Sequence, residues 1–440
     1  MQNILPLMMF PLLFGLIFLG IPVALAMFAI GAAFSFHIFG LNVGLQMYGR
    51  LLDVSSNFVL VAIPLFIFMG ALLERSKIAE KLFMALRLFL GRFPGGLSVS
   101  AIFICAIFAA SSGIVGAVEI VVGLMAVPTM MAAGYRKDLV CGTICGGGSL
   151  GTIIPPSVIV VIYASITDMS IGDLLAGILI PGLIMMILFV AYVIVRCYLR
   201  PQDGPVLSRE ELDSVSLRQK LWLLATALLP CVALIFAVLG SIFAGIASPT
   251  EASAVGVVGA ALLVLAYGQF SRAVVMEALR STITITAMTM MIILGGTIFT
   301  SAFLINGGSG VVRTMISDLS LGANGTLSLF LFVIFLLGFV LDWISIILIT
   351  IPIFNPIIKA VSIDPVWFAV MVCIVLQTSY LTPPMAPSIF YLQSIAPKSI
   401  RLGDMYRGVI PFVVLQMITL LIVYLIPWTA VYMPQILFRL

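Results

Sequence analysis

Two acidic residues stand inside long apolar runs of this 440-residue chain, where a charge is costly unless a partner offsets it. Glu119 lies in the run GAVEIVVGL, and Asp342 lies in the run GFVLDWISII. A carboxyl group in such a run is expected to face a cavity or a polar partner rather than lipid. Each acid can ligate an ion, carry a proton or make only a structural hydrogen bond, and the sequence leaves these roles open.

A proline pair follows each acid and interrupts a second apolar segment, Pro155–Pro156 in the first half of the chain and Pro383–Pro384 in the second. Proline lacks the backbone N–H group and clashes with the preceding helical turn, so a pair breaks a helix and leaves carbonyl groups without donors. Inside a membrane such carbonyl groups need protein, water or an ion as a partner. Glycines precede the first pair and hydroxyl residues precede the second. Carbonyl and hydroxyl oxygens suit an alkali cation such as sodium.

The acids and the proline pairs recur at similar spacings, which indicates an internal duplication. The next proline of the run comes nine residues after Glu119 and ten residues after Asp342. The two pairs lie 228 residues apart, and a tyrosine follows each at an offset of eight residues, Tyr163 and Tyr391. One broken helix in each of two repeats is typical of secondary transporters that bind ion and substrate near the membrane midplane.

The composition places these motifs in a polytopic α-helical membrane protein. Hydrophobic residues make up 62% of the chain and charged residues only 9%, whereas soluble domains carry roughly 25% charged residues. At roughly 30–40 residues for each span with its connection, the length predicts about 11–13 hydrophobic segments. The net charge of +4 is spread without a basic stripe, which excludes nucleic-acid binding.

One long polar linker, residues 200–220, divides the chain, and its basic residues predict a cytoplasmic location. The repeats on either side, residues 1–199 and 221–440, are each expected to contain scaffold helices, a re-entrant helical hairpin and a proline-broken helix. The expected ranges are 103–135 for the first hairpin, 138–167 for the first broken helix, 328–362 for the second hairpin, 366–395 for the second broken helix and 408–432 for the final span. Residues 74–93 combine basic residues with apolar residues at helical spacing and predict an amphipathic arm helix on the membrane surface.

Several segments together resemble the large membrane subunit of tripartite ATP-independent periplasmic (TRAP) transporters, over nearly the whole chain. The run GGGSLGTIIPPSVIVVIYASITDMSIGDLLAGILIPG carries most of the likeness, and IPLFIFMGALLERS, FPGGLSVSAIFICAIFAASSG and LTPPMAPS add to it. The resemblance implies an all-α, elevator-type ion-transporter fold of two inverted repeats, in a sodium-coupled importer of the bacterial inner membrane. It also implies three partners: a small membrane subunit of the DctQ type, a periplasmic substrate-binding protein of the DctP type and an organic acid anion as substrate.

The same resemblance implies two sodium sites and no other metal or cofactor. The first site would consist of the Ser111–Ser112 turn and the carbonyl groups of Gly151, Ile154 and Pro156. The second would lie between Gly338 and a stretch that contains Ser379, Thr382 and Met385. The chain departs from the family pattern after Gly113, where Ile114, Val115 and Gly116 replace a serine-rich turn and remove a hydroxyl ligand from the first site. Ser379 and Ala386 stand where the family usually has glycine.

No arginine lies near either proline motif in the sequence, so hydroxyl groups and helix N-termini are the expected ligands of a substrate carboxylate. The candidate substrate-binding residues are Thr152, Ser157, Asp342 and Ser388. Glu119 remains a candidate for an ion or a proton.

One other class of transporter also fits these motifs, whereas an enzyme or a channel fits them less well. A single-component sodium/dicarboxylate symporter also uses two proline-containing hairpins, and it differs in needing no binding protein. An intramembrane enzyme is disfavoured, because the only histidine, His37, lies near the start of the chain without a GxSG-type serine and Asp342 has no GxGD-like setting. A channel is disfavoured because paired repeats with broken helices favour alternating access.

Overall fold

A computed structural model describes residues 5–112, 115–207 and 215–438, with the side chains of residues 111 and 112 outside the description. These residues form helices joined by turns and short loops, and no β-strand occurs among them. The helices of the first half are α1 (Met9–Phe18), α2 (Val23–Phe39), α3 (Val43–Ser55), α4 (Ala62–Glu74), α5 (Ile78–Leu90), α6 (Gly96–Ser112), α7 (Val115–Ala132), α8 (Lys137–Ser149), α9 (Val158–Thr167) and α10 (Ile171–Leu199). The helices of the second half are α11 (Leu217–Phe243), α12 (Pro249–Ala266), α13 (Arg272–Ile305), α14 (Gly308–Asp318), α15 (Ala323–Leu337), α16 (Trp343–Ala360), α17 (Pro365–Leu381), α18 (Pro387–Ile395), α19 (Leu402–Leu425) and α20 (Trp428–Phe438).

The helices differ in whether they are long enough to cross a membrane. Among the described residues, eight are long and apolar enough, or up to nine if the bent pair Phe58–Glu74 and Ile78–Leu90 forms one span. Five shorter apolar helices accompany them, and four of these correspond to α6, α9, α15 and α17. Those four are hairpin arms or halves of broken helices. The hydrophobic segments of the chain therefore include full-length spans and segments too short to cross alone.

The second half repeats the order of elements found in the first. In the first half the hairpin α6–α7 precedes the broken helix α8–α9 and the long helix α10. In the second half the hairpin α15–α16 precedes the broken helix α17–α18 and the long helix α19. The fold is thus all-α, with two repeats that each contain a helical hairpin and a proline-broken helix. Below, α6–α7 is called hairpin 1 and α15–α16 hairpin 2.

The observed helix bounds differ from the expected ranges at the start of both hairpins and at the end of the final span. Both hairpins begin earlier than expected, at Gly96 and Ala323. The final span ends at Leu425, and a separate helix, α20, follows. Ile426, with φ −125° and ψ 75°, lies outside the α region. It precedes Pro427, and a residue before proline is disfavoured in the helical conformation.

Residues 78–90 form the amphipathic helix that the charge pattern predicts. Helix α5 buries Ile78, Leu82 and Phe83 while Glu80 and Lys81 stay exposed. It bends by 61° from the helix before it. The buried face packs against α6 and α11, so this arm helix joins hairpin 1 to the second half of the chain.

The first part of the polar linker is held against the helices by hydrogen bonds and ion pairs. The Arg196 guanidinium lies 2.9 Å from a carboxylate oxygen of Asp203 and 2.9 Å from one of Asp138. The Asp203 side chain is only 3% exposed. The backbone N–H of Gly95 donates to the carbonyl of Gly204 over 2.9 Å. Asp138 lies in the first turn of α8 and Arg196 in the last turn of α10, so these contacts fix one end of the first broken helix.

Candidate functional site

The first proline pair breaks α8–α9 in the way its backbone chemistry predicts. Helix α8 ends at Ser149, a 3-10 turn follows at Leu150–Thr152, and the chain becomes helical again at Val158. In a continuous helix, the N–H groups of residues 155 and 156 would donate to the carbonyl groups of Gly151 and Thr152. Prolines at those positions cannot donate.

The carbonyl groups freed at this break differ in whether they find another donor. The Ser157 hydroxyl donates to the carbonyl of Thr152 over 2.6 Å. The carbonyl groups of Gly151, Ile154 and Pro156 accept no hydrogen bond from any described residue. These are the three carbonyl groups that the family resemblance assigns to the first sodium site. Their oxygens are therefore available as ligands.

The second proline pair produces an equivalent break between α17 and α18. Pro383 and Pro384 occupy the positions whose N–H groups would donate to the carbonyl groups of Ser379 and Tyr380. The N–H of Thr382 donates to the carbonyl of Thr378 over 2.9 Å, and helix α17 ends just before it, at Leu381. Pro383 and Pro384 are exposed, whereas the first pair is buried. Both breaks arise because prolines remove backbone N–H donors, but the first proline pair is buried and the second is exposed.

The tip of hairpin 2 meets this second break. Gly338 closes α15, and a Cβ atom added to it would lie 3.0 Å from the Ser379 Cβ. Two residues that lie 41 positions apart and were assigned to one sodium site are thus neighbours in space. Met385, the last residue of that set, is half-buried in the turn after the proline pair.

The Asp342 carboxylate is the N-cap of helix α16. It accepts hydrogen bonds from the N–H groups of Ile344, at 3.0 Å, and Ser345, at 3.3 Å, and from the Ser345 hydroxyl at 2.5 Å. An acidic N-cap satisfies backbone donors that the helix leaves open. In this conformation Asp342 makes structural hydrogen bonds at the hairpin tip, close to the predicted second sodium site.

Most of the predicted hydroxyl ligands are directed at their own backbone. The Thr152 hydroxyl donates to the carbonyl of Ser149 over 2.9 Å, the Ser379 hydroxyl to Leu376 over 2.6 Å and the Thr382 hydroxyl to Thr378 over 2.8 Å. A hydroxyl that donates in this way keeps lone pairs for a ligand. It does not add a free donor for a substrate carboxylate. The carbonyl oxygens and the lone pairs of these hydroxyl groups are accordingly both available to a cation at the breaks.

The structure describes the backbone of the first arm of hairpin 1 up to Ser112. The backbone of Ser111 and Ser112 ends α6, but their side chains lie outside the described residues, as do Gly113 and Ile114. The turn at Leu150–Thr152 packs against both α6 and α7, which brings the first break to hairpin 1. The predicted role of the two serine side chains at that contact stays a prediction.

The buried carboxyl of Glu119 contrasts with that of Asp342. Glu119 is completely buried, and apart from Ser388 neither of its oxygens has a hydrogen-bond partner among the described residues. Ser388, another predicted ligand, is also completely buried, and apart from Glu119 its hydroxyl likewise has no described partner. The two side chains lie beside each other, on helices from opposite halves of the chain.

A cavity of about 560 Å³ is lined by an arginine that is distant from both proline motifs in the sequence. Arg50, on α3, shares this cavity with Ser165 and Asp168 at the end of α9 and with Leu348 and Pro352 of hairpin 2. Its guanidinium donates to the Ser301 hydroxyl over 3.1 Å and pairs with Asp53 at 3.1 Å. Arg50 lies more than 100 residues before the first proline pair in the sequence, and no local pattern indicates this proximity.

Comparisons with known proteins show which family the chain belongs to. The chain matches the family described as the DctM component of the tripartite ATP-independent periplasmic transporter over residues 10–429. It is 29% identical to the C4-dicarboxylate TRAP transporter large permease protein DctM of Pseudomonas aeruginosa over 88% of each chain. It is 29% identical to the sialic acid TRAP transporter large permease protein SiaM of Vibrio cholerae over 96% of each chain. It is 27% identical to the ectoine TRAP transporter large permease protein TeaC of Halomonas elongata, over 97% of this chain and 98% of that one.

A solved structure supports the fold independently. The YdaH transporter of Alcanivorax borkumensis superposes with a TM-score of 0.56 at 14% identity, over 88% of this chain and 89% of that one. The likeness at this identity concerns the fold alone. Because the family match covers almost the whole chain, it carries more weight than any single motif. The chain therefore belongs to the DctM family of large permease subunits of tripartite ATP-independent periplasmic transporters, and it is a multi-pass protein of the bacterial inner membrane.

Proposed function

We propose that this permease subunit belongs to a sodium-coupled importer that takes up an organic acid by an elevator-type, alternating-access movement. The observation that supports sodium coupling is the pair of breaks at which prolines leave the carbonyl groups of Gly151 and Ser379 without helical donors. Broken helices of this kind are where secondary transporters bind their coupling ions. The repeated hairpins provide the part that would move.

Two sodium ions would bind at the two breaks. The first would be held by the carbonyl groups of Gly151, Ile154 and Pro156, with Ser111 and Ser112 as further ligands. The second would be held where the tip of hairpin 2 meets the second break, by Gly338, Ser379, Thr382 and Met385. The Ser379 and Thr382 hydroxyl oxygens can join the carbonyl oxygens in this ligand set, because they keep lone pairs for a cation while they donate to their own helix.

The proposed substrate is a carboxylate delivered by a periplasmic binding protein of the DctP type, with a small membrane subunit of the DctQ type completing the transporter. The relatives are named for C4-dicarboxylates, sialic acid and ectoine, which share a carboxylate group. Arg50 offers a guanidinium in the cavity, and guanidinium groups bind carboxylates through paired hydrogen bonds. Thr152, Ser157, Asp342 and Ser388 remain the proposed ligands nearer the breaks. The linker at residues 200–220 would lie on the cytoplasmic side.

A reconstituted uptake assay tests this function. Proteoliposomes containing this chain and its small subunit would be supplied with the purified binding protein and with labelled succinate, sialic acid or ectoine. We expect uptake of one of these compounds only when an inward sodium gradient and the binding protein are both present, because the sites described above bind sodium and the substrate is delivered. A potassium gradient of the same size is the control.

Two other results would contradict the proposal in different ways. Uptake that needs sodium but proceeds equally well without the binding protein would favour a single-component sodium/dicarboxylate symporter. Uptake that needs the binding protein but is driven equally by the potassium control would contradict sodium coupling.

A further inference from the structure

Helix α7 of hairpin 1 packs very closely against α18, the second half of the other repeat's broken helix. A Cβ atom added to Gly116 would lie 2.7 Å from the Tyr391 ring. One added to Gly123 would lie 2.4 Å from the Ile395 side chain. Glu119 lies between these glycines at helical spacing, so its side chain points into the same contact.

The surroundings of Glu119 are densely packed. A Cβ atom added to Gly148 of α8 would lie only 2.1 Å from the Glu119 Cγ and 2.6 Å from its Oε1. The titratable groups near the carboxyl are thiols and phenols: Cys105 of α6, Cys145 of α8, Tyr380 of α17 and Tyr391 of α18. No described cationic side chain forms an ion pair with Glu119.

The Ser388 hydroxyl lies beside the Glu119 carboxyl. Both side chains are completely buried, and apart from each other they have no hydrogen-bond partner among the described residues. A buried carboxylate without a paired cation or donors is far more costly than a neutral carboxylic acid. A metal ion would need several oxygen ligands around it, and the tight contact with Gly148 leaves little space for one. A proton neutralises the buried carboxylate and needs neither extra space nor further ligands.

We propose that Glu119 is a proton-binding site at the contact between α7 and α18, and that it holds its proton in the described conformation. The neutral acid has one O–H donor, for which the Ser388 hydroxyl is the adjacent acceptor. The site joins hairpin 1 to the broken helix of the other repeat, so release of the proton requires these two elements to separate. This is a site for a proton in addition to the sodium sites proposed above.

Infrared spectroscopy of the purified chain tests the proposal without a substrate or an ion gradient. A neutral carboxylic acid shows a C=O stretching band that a carboxylate lacks. At neutral pH we expect this band in the wild type and its loss in Glu119→Gln, which preserves shape and removes the titratable group. The matched control is Asp342→Asn, which should retain the band because Asp342 accepts hydrogen bonds as a carboxylate.

Isotope labelling makes the result independent of how well a variant folds. Carbon-13 in the glutamate carboxyl groups should shift the band in the wild type, whereas the same label in aspartate should leave it in place. A spectrum without the acid band, or one that Glu119→Gln leaves unchanged, would overturn the proton site, whether or not sodium coupling is correct. If the acid band is missing and Glu119→Gln removes a sodium-specific rise in melting temperature, Glu119 binds a metal cation and the proposal is wrong.

The consequence for transport depends on the proposed function. In the uptake assay, the rate should vary with pH in the wild type, and Glu119→Gln should remove that component while uptake of the substrate persists. An unchanged pH profile in Glu119→Gln would show that the proton is not exchanged during transport.

Discussion

Replacement of Pro155 and Pro156 together by alanine is expected to remove the contribution of the first proposed site to stabilisation by sodium and to reduce uptake on the order of 100-fold, the cost of misplacing a ligand set by about 1 Å. The two new N–H groups can donate to the carbonyl groups of Gly151 and Thr152 and continue α8 through the break. The oxygens available to sodium would then be used inside a helix. Melting temperatures in sodium and potassium salts measure the binding effect, and reconstituted uptake measures transport.

A third proline provides the matched control for this prediction. Pro230 lies inside α11, away from both breaks. Pro230→Ala makes the same chemical change and should leave the difference between sodium and potassium intact. If the double variant at the first break kept the full sodium response of the wild type, the carbonyl groups of that break could not be sodium ligands.

Gly142→Ala is expected to destabilise the protein by about 3 kcal/mol, at the upper end of what overpacking costs. Helix α8 crosses α19 at Gly142 and Gly408, where the two backbones come close together. A Cβ atom at Gly142 would lie 2.2 Å from the carbonyl oxygen of Gly408, and one at Gly408 would lie 2.2 Å from the carbonyl of Asp138. Backbone atoms in two packed helices cannot move aside as the end of a flexible side chain can. The helices would have to separate, and the first break would shift with them.

The measurement for this prediction is the melting temperature in detergent, compared with that of Gly240→Ala. Gly240 is also inside a helix, but no atom lies within 4 Å of the position its Cβ would occupy. Alanine there should be neutral or slightly stabilising, because alanine loses less conformational freedom on folding than glycine. Equal melting temperatures for the two variants would contradict the close packing of α8 against α19.

The features that the sequence predicts well are those that depend on local chemistry. A proline pair removes N–H donors wherever it lies, so the breaks at residues 155 and 383 follow directly from residue type. The N-cap role of Asp342 also had a local signal, because aspartate is one of the residues preferred at a helix N-cap. These features need no knowledge of how the helices pack.

The features that the sequence did not predict depend on contacts between distant segments. Glu119 and Ser388 are 269 residues apart, and their contact arises from the packing of α7 on α18. Arg50 reaches its cavity because α3, α9, α13 and hairpin 2 meet there. Periodicity within one helix indicates which face is apolar but not which other helix will cover it. Site residues contributed from opposite halves therefore required the structure.

Sodium binding by the isolated chain is the central claim, and a melting experiment tests it most directly. The purified subunit would be melted in increasing NaCl and in KCl at equal ionic strength, with folding checked beforehand. A ligand that binds only the folded state at 100 times its dissociation constant adds about 2.7 kcal/mol of stability. We expect the melting temperature to rise with sodium and not with potassium. The same melting temperature in both salts, at every concentration, would contradict sodium sites at the two proline-broken helices.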